Sequence, residues 1–216
     1  MRARWLAGVV IVGFVGFACN RVAEEPPSQM RWMPSAELDG DAAGRAVASS
    51  GAPAPTIADR CVVPTPSAAP PPVAKGPAPG CPSDPNPHTL ATVTVRFPDA
   101  RAAAGGVRMT AELARRPQDL ERGLMYRTHM DEDHGMLFDL GVRQVHTFWM
   151  RNTCIPLDMI FLDDDGLVVG IVENAPTLND AARSVECPAT HVLEVNAGWS
   201  RRHGVQAGDR AVLPGA

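Results

Sequence analysis

One lysine, Lys75, and one tyrosine, Tyr126, serve a chain of 216 residues in which aromatic side chains make up 5%. Positive charge is therefore carried almost wholly by arginine. Twenty Lys and Arg face 24 Asp and Glu, for a net charge of −4. No basic stripe stands out, which argues against nucleic acid as a partner. The longest apolar run, Trp5 to Ala18, makes about 21 Å of helix, short of the roughly 30 Å core of a bilayer. Internal repeats are absent, and so are a phosphate loop, a dinucleotide fingerprint and a nucleophile elbow. The acidic clusters Asp131-Glu-Asp133 and Asp163-Asp-Asp165 lack the ligand spacing of a calcium loop and read as solvated turns. Neither a metal nor a cofactor is expected.

What is present begins with an export signal. Arg2 and Arg4 precede the apolar run, which ends at Cys19. A run too short to span reads as a secretory signal over residues 1–19. Ala18 beside Cys19 resembles a bacterial lipoprotein cleavage site, although Gly16 and Phe17 depart from that pattern. Cys19 is then the lipidated first residue of an exported, membrane-anchored protein of the cell envelope; the alternative is a plain signal peptide with an incidental cysteine. Residues 20–88 hold most of the prolines, as in Pro53-Ala-Pro55, Pro64-Thr-Pro66 and Pro70-Pro71-Pro72. So few large apolar residues do not offset ordering entropy, and an extended, disordered tether is expected.

Residues 89–216 read as one mostly-β domain, long enough to bury a core. Thr92–Phe97, Val107–Leu113, Gly135–Leu140, Val145–Arg151, Leu157–Leu162, Leu167–Val172, His191–Val195 and Arg210–Leu213 have strand character. Asp163-Asp-Asp-Gly166 marks a hairpin. Pro117–Met125 and Ser200–His203 supply one or two short helical pieces. Short strands at this spacing predict a β-sandwich or barrel.

Alternation aims the side chains. Leu157, Met159 and Phe161 share one face, Asp158, Ile160 and Leu162 the other, and Glu194 lies beside Val192. A carboxylate among apolar neighbours needs a partner or a function. Arg127, Arg151 and Asn152 are the partners considered for Asp158 and Glu194. Arg127, Trp149, Asn152, Asp158 and Glu194 make up the candidate ligand pocket. Cys154 and Cys187 are the two cysteines of residues 89–216, so a bridge between them is expected, with Cys61 and Cys81 as a second pair in the tether.

Gly123-Leu-Met-Tyr-Arg127, Gly135-Met-Leu-Phe138, Phe148-Trp-Met-Arg-Asn-Thr153, Ile155-Pro-Leu-Asp158 and Leu193-Glu194 followed by Gly198 occur in this order. Together they resemble the bacterial and archaeal family called domain of unknown function 192, from about Val107 to Val212. The resemblance implies a compact, jelly-roll-like β fold and no established activity. Met130 stands where that family usually has Leu.

Four classes of function remain. A small-ligand or glycan-binding module would use the five pocket residues, since aromatic faces with a few convergent polar groups make such sites. A structural or protein-interaction domain, its partner an envelope protein, would need them only as core and clamp. A carboxylate-dependent hydrolase would need Asp158 and Glu194 about 5–10 Å apart across a glycosidic bond. A soft-metal protein would draw on Met125, His129, Met130, His134, Met136, His146 and Met150, although apolar packing is the commoner use of such methionines. The anchor has its own test. Cys19→Ala is expected to block processing or release the protein from the membrane fraction, read by fractionation and immunoblot; a processed, membrane-bound variant would contradict lipidation.

Overall fold

The computed structural model describes residue 56 and residues 59–214. The expected signal segment, Cys19 and the first part of the expected tether lie outside the described residues. Six strands form the main sheet. They are β1 (Thr92–Phe97), β2 (Val107–Ala114), β3 (His134–Gln144), β5 (Leu157–Leu162), β6 (Val168–Ala175) and β8 (Ala189–Asn196), in the order β1-β2-β3-β8-β5-β6. A second sheet pairs β4 (Phe148–Met150) with β7 (Asn179–Arg183). The helices are α1 (Pro117–Arg122) and α2 (Trp199–His203). The sandwich-like, mostly-β class predicted from the sequence is thus what forms. No closed barrel is seen among the described residues, although the C-terminal segment touches both ends of the sheet through the Arg96–Val212 and Leu167–Arg210 bridges.

Local chemistry explains the elements. β5 is apolar on both faces save for Asp158 and is wholly buried, as a central strand should be. α1 starts at Pro117, whose fixed φ suits a first helical turn, and ends where Gly123 takes φ +50°. α1 lies in the crossover that lets β2 and β3 pair in parallel, while every other strand pair is antiparallel. The predicted strand over Val145–Arg151 shrinks to Phe148–Met150. The predicted closing strand over Arg210–Leu213 reduces to isolated bridges.

Alternation sends side chains into two cores. Met136, Phe138, Met159, Phe161 and Val192 pack with Met150 and Leu124 on one face. Leu137, Ile160, Leu162, Leu193 and Val195 pack with Trp199, Val205 and Leu213 on the other. Trp199 is fully buried and stacks near Phe97 and His203, with ring centroids at 5.9 and 4.4 Å.

Two expectations are corrected. Residues 59–88 are not a free tether but an extended strap bound to the domain. The Val63 N–H donates to the Val169 carbonyl at 2.8 Å, along edge strand β6. Arg201 donates to the carbonyls of Pro66, Ser67 and Ala68, and Asn174 Nδ2 donates to that of Pro71. Arg60 pairs with Asp163, and Arg122 with Asp84. At Gly76 the strap lies so close that a Cβ would sit 2.9 Å from the Cys154 carbonyl oxygen. The disulfides follow from this path. Cys61 joins Cys187 and Cys81 joins Cys154, each with Cα atoms 5.5 Å apart, in place of the expected Cys154–Cys187 and Cys61–Cys81 pairs. Composition hid the strap because its ordering comes from cross-links and from donors on the domain, not from apolar side chains of its own.

Among the described residues no helix is long and apolar enough to cross a membrane. The bridges give the second prediction. Cys61 and Cys187 are 126 residues apart in sequence, so Cys61→Ser should lower stability by roughly 2–4 kcal/mol in urea melts. A chain shortened to begin at Pro87 should melt lower still, since it loses both bridges and the Arg201 contacts. Unreduced peptide mapping that recovers a Cys154–Cys187 fragment would overturn the assignment.

Candidate functional site

The structure separates the five predicted pocket residues. Asp158 pairs with Val195 across the β5–β8 ladder, whereas Glu194 pairs with Met159. The two carboxylates therefore leave opposite faces of the sheet and cannot flank one glycosidic bond, which removes the basis for a paired-carboxylate hydrolase.

Asp158 is sealed, with no exposure. Its Oδ1 accepts the backbone N–H groups of Asn174 at 2.9 Å and Gly198 at 3.0 Å, and its Oδ2 accepts that of Ser200 at 3.0 Å. Backbone donors thus replace the arginine expected as its partner. Arg127 instead donates from Nη2 to both oxygens of Glu112, at 2.6 and 2.7 Å. Trp149 is 38% exposed on the outside of β4, and the Arg151 guanidinium lies 4.2 Å from its ring centroid while pairing with Asp180 at 3.0 Å. The aromatic face expected for a glycan is therefore occupied by a side chain of the protein itself.

Glu194 and Asn152 both adjoin the turn that follows α1, Glu194 at Gly123 and Asn152 at Tyr126. Glu112, Met136, Glu194, Met159 and Val172 form one cross-strand row over five strands. Glu194 stands in that row between two methionines. It is 4% exposed, and no hydrogen bond to its carboxyl is found among the described residues. Burial pushes its carboxyl up to about 8, so it is mostly protonated at neutral pH. Gly123, at the end of α1, roofs it. A Cβ there would sit 3.0 Å from Phe138 Cζ and 3.9 Å from Glu194 Oε2. The turn that follows is held in place: the Tyr126 N–H donates to the Asn152 carbonyl at 2.8 Å, and Asn152 Nδ2 donates to the Tyr126 hydroxyl at 3.1 Å. Tyr126 and Asn152 both adopt positive φ, 66° and 53°, a conformation uncommon outside glycine.

The remaining buried carboxylates have partners. Asp119 receives Arg116 Nε at 2.7 Å, Asp163 receives Arg60 and Arg143, and Asp209 receives the Gln206 N–H at 2.8 Å. Glu194 is the exception, and Gly123, Met136 and Met159 are the neighbours that the sequence did not assign to it.

Of the Met and His residues considered for soft metals, His129, Met130 and His134 line one cleft with Asp131. Met136 and Met150 are core. His129 contacts Asp131 at 2.9 Å, and His146 Nε2 lies 2.9 Å from the Val142 carbonyl. No group of three or more His, Cys, Asp or Glu suited to a metal ion occurs among the described residues.

The profile of a family of uncharacterized ACR proteins, DUF192, matches residues 100–213. The chain belongs to the DUF192 family. It is similar to a proposed transcription regulator from Sinorhizobium meliloti 1021, at 42% identity over 59% of this chain and 97% of that one, with a TM-score of 0.54. It is also similar to a protein of unknown function from Novosphingobium aromaticivorans DSM 12444, at 34% identity over 63% of this chain and 95% of that one, with a TM-score of 0.53. No curated protein matches significantly. The DUF192 match takes in Asp158, Glu194, Cys154 and Cys187 but leaves Cys61, Cys81 and the strap outside it.

The sealed carboxylate yields the third prediction. Asp158→Ala strands three backbone donors, and at about 1–3 kcal/mol for each unsatisfied buried group the loss should reach at least about 3 kcal/mol. Asp158→Asn, which keeps one acceptor oxygen, should lose less. An unchanged urea midpoint for the alanine variant would contradict a structural role.

Proposed function

We propose that this DUF192 domain is a small-ligand-binding module held in the cell envelope, with the Glu194 carboxyl as the polar anchor of its site. The observation that carries the reading is the lone carboxyl itself. A fold that provides partners for Asp119, Asp158, Asp163 and Asp209 gives Glu194 none among the described residues. Its neighbours are apolar, with Met136 and Met159 beside it on the ladder and Gly123 and Phe138 close by. That is the composition of a small-molecule site. A protonated carboxyl there donates one hydrogen bond, so the complementary ligand is uncharged and presents a carbonyl, ether or hydroxyl oxygen. Export and envelope anchoring rest on the N-terminal signal pattern, and the two disulfides fit an oxidising compartment.

Two measurements test the reading. The first is the pH dependence of stability. Unfolded Glu194 releases its proton near 4.5, while folded Glu194 holds it to about 8. Between these values the folded state binds more protons than the unfolded state, so stability falls as pH rises, by up to about 1.4 kcal/mol per unit. Glu194→Gln should flatten that slope and gain most over the wild type near pH 8. Equal slopes would show that Glu194 is not buried and neutral. The second is a thermal-shift panel of neutral sugars, small amides and ketones. A compound that binds at the site should raise the melting temperature of the wild type and fail to raise that of Glu194→Leu. Equal shifts in both proteins would remove Glu194 from the site.

A further inference from the structure

A cleft lies at the β1–β2 loop, and none of its lining residues touches Glu194. Arg96 and Arg108 are direct partners across the β1–β2 ladder. Their neighbours Val95, Phe97 and Met109 are buried, so both guanidinium groups leave the same outer face. Val212 extends the row. The Arg96 N–H donates to the Val212 carbonyl at 3.3 Å, and the Val212 N–H returns a bond to the Arg96 carbonyl at 2.7 Å. Arg96, Arg108, Pro98, Gly105, Gly106 and Val212 line one cleft, and no carboxylate among the described residues lines it. Gly106 closes the loop at φ +80°, where a Cβ would lie 2.3 Å from the Phe97 carbonyl oxygen. Gly105 has open space around it, which leaves the mouth of the cleft unblocked.

The two arginines are unusual in this domain. Among the described residues every other arginine contacts a carboxylate, an amide or a carbonyl. Acidic groups outnumber basic ones in the chain, 24 to 20, so carboxylates are not scarce. Like charges placed directly opposite on a ladder repel each other. Two unneutralised forks on adjacent strands call for one anion that both can reach. A monovalent carboxylate balances one of the two charges, whereas a phosphate dianion balances both and offers oxygens to both forks.

We propose that this cleft binds a phosphate group, held between the Arg96 and Arg108 guanidinium groups. The phosphate is carried by a soluble phosphate ester or by a phosphorylated lipid headgroup at the membrane surface. The test is calorimetric titration of the full chain with inorganic phosphate and glycerol phosphate, with acetate as the monoanion control, alongside sedimentation with phosphatidylcholine vesicles with and without phosphatidic acid. Saturable phosphate binding is expected, and it should weaken by about tenfold or more in Arg96→Gln/Arg108→Gln, equivalent to about 1.4 kcal/mol. Arg202→Gln, which removes a paired surface arginine, should leave it unchanged. Acetate should bind at least about tenfold more weakly than phosphate. Binding of the free esters alone identifies a soluble source, and preferential sedimentation with phosphatidic acid identifies a lipid one; either upholds the site when the double variant loses it. Absence of binding in both arms, or binding unaltered in the double variant, overturns it. Both side chains are exposed, so the variants should fold, and a matched melting temperature confirms that loss of binding is local.

Discussion

The Asp158 carboxylate is the junction on which the domain depends. One side chain in the middle of the sheet accepts backbone N–H groups from the end of β6, from the residue before α2 and from the first turn of α2. It thereby fixes the Gly198 corner, where the chain takes φ +75°, and the direction in which Trp199 enters the second core. A buried ion pair would have had to offset the desolvation of two charges; here fixed backbone dipoles solvate one. The same contacts satisfy donors at the start of a short helix that has no side-chain cap.

The opposite face of the same strands follows a different logic. β5 and β8 each place a carboxylate one register step from the other's, so Asp158 and Glu194 share a ladder but never a face. Asp158 meets a dense set of donors, whereas Glu194 meets methionines, Phe138 and a glycine. Burial without donors raises a carboxyl's pKa, and that is the direction found for Glu194. The two faces divide the work: one carboxylate holds the fold together, and the other supplies a chemically unspent group. The Tyr126–Asn152 clamp holds two positive-φ residues in place, which is the kind of backbone strain that surrounding contacts must over-determine.

Much of this was legible in the residues. Thr92–Phe97 and Leu157–Leu162 form strands with the bounds read from alternation, because each is a strongly patterned segment between clear turn signals. The opposite orientation of Asp158 and Met159 followed from period two alone. Which carboxylate met which donor did not, since a backbone N–H in a distant turn leaves no mark in composition. β7, Asn179–Arg183, was missed because Asn-Asp-Ala-Ala-Arg has neither alternation nor β-branched residues; it forms by pairing with β4. The bridges were misassigned for a different reason. Counting cysteines within residues 89–216 presupposed that the strap was outside the fold, and proline-rich composition gave no sign that Cys61 and Cys81 reach across to Cys187 and Cys154.

The strap also accounts for the scarcity of lysine. Arg201 makes contacts that an ammonium could not reproduce from one position: its Nη2 reaches the Pro66 and Ala68 carbonyls at 2.8 Å and Glu173 Oε2 at 2.9 Å, while Nη1 reaches Ser67 and Nε approaches Glu173 Oε1 at 2.6 Å. A polyproline-like segment offers carbonyls but few N–H donors, so what binds it must donate in several directions. A planar fork does that, and Arg60, on the strap itself, ties it to Asp163 in the same way. Asp163 keeps its charge because the Arg143 and Arg60 forks outweigh the burial that would otherwise raise its pKa. In such a domain arginine is principally a means of joining carboxylates and carbonyls. Against that background Arg96 and Arg108, set side by side on the outer face with no such partner among the described residues, are the two that do not serve the fold in this way.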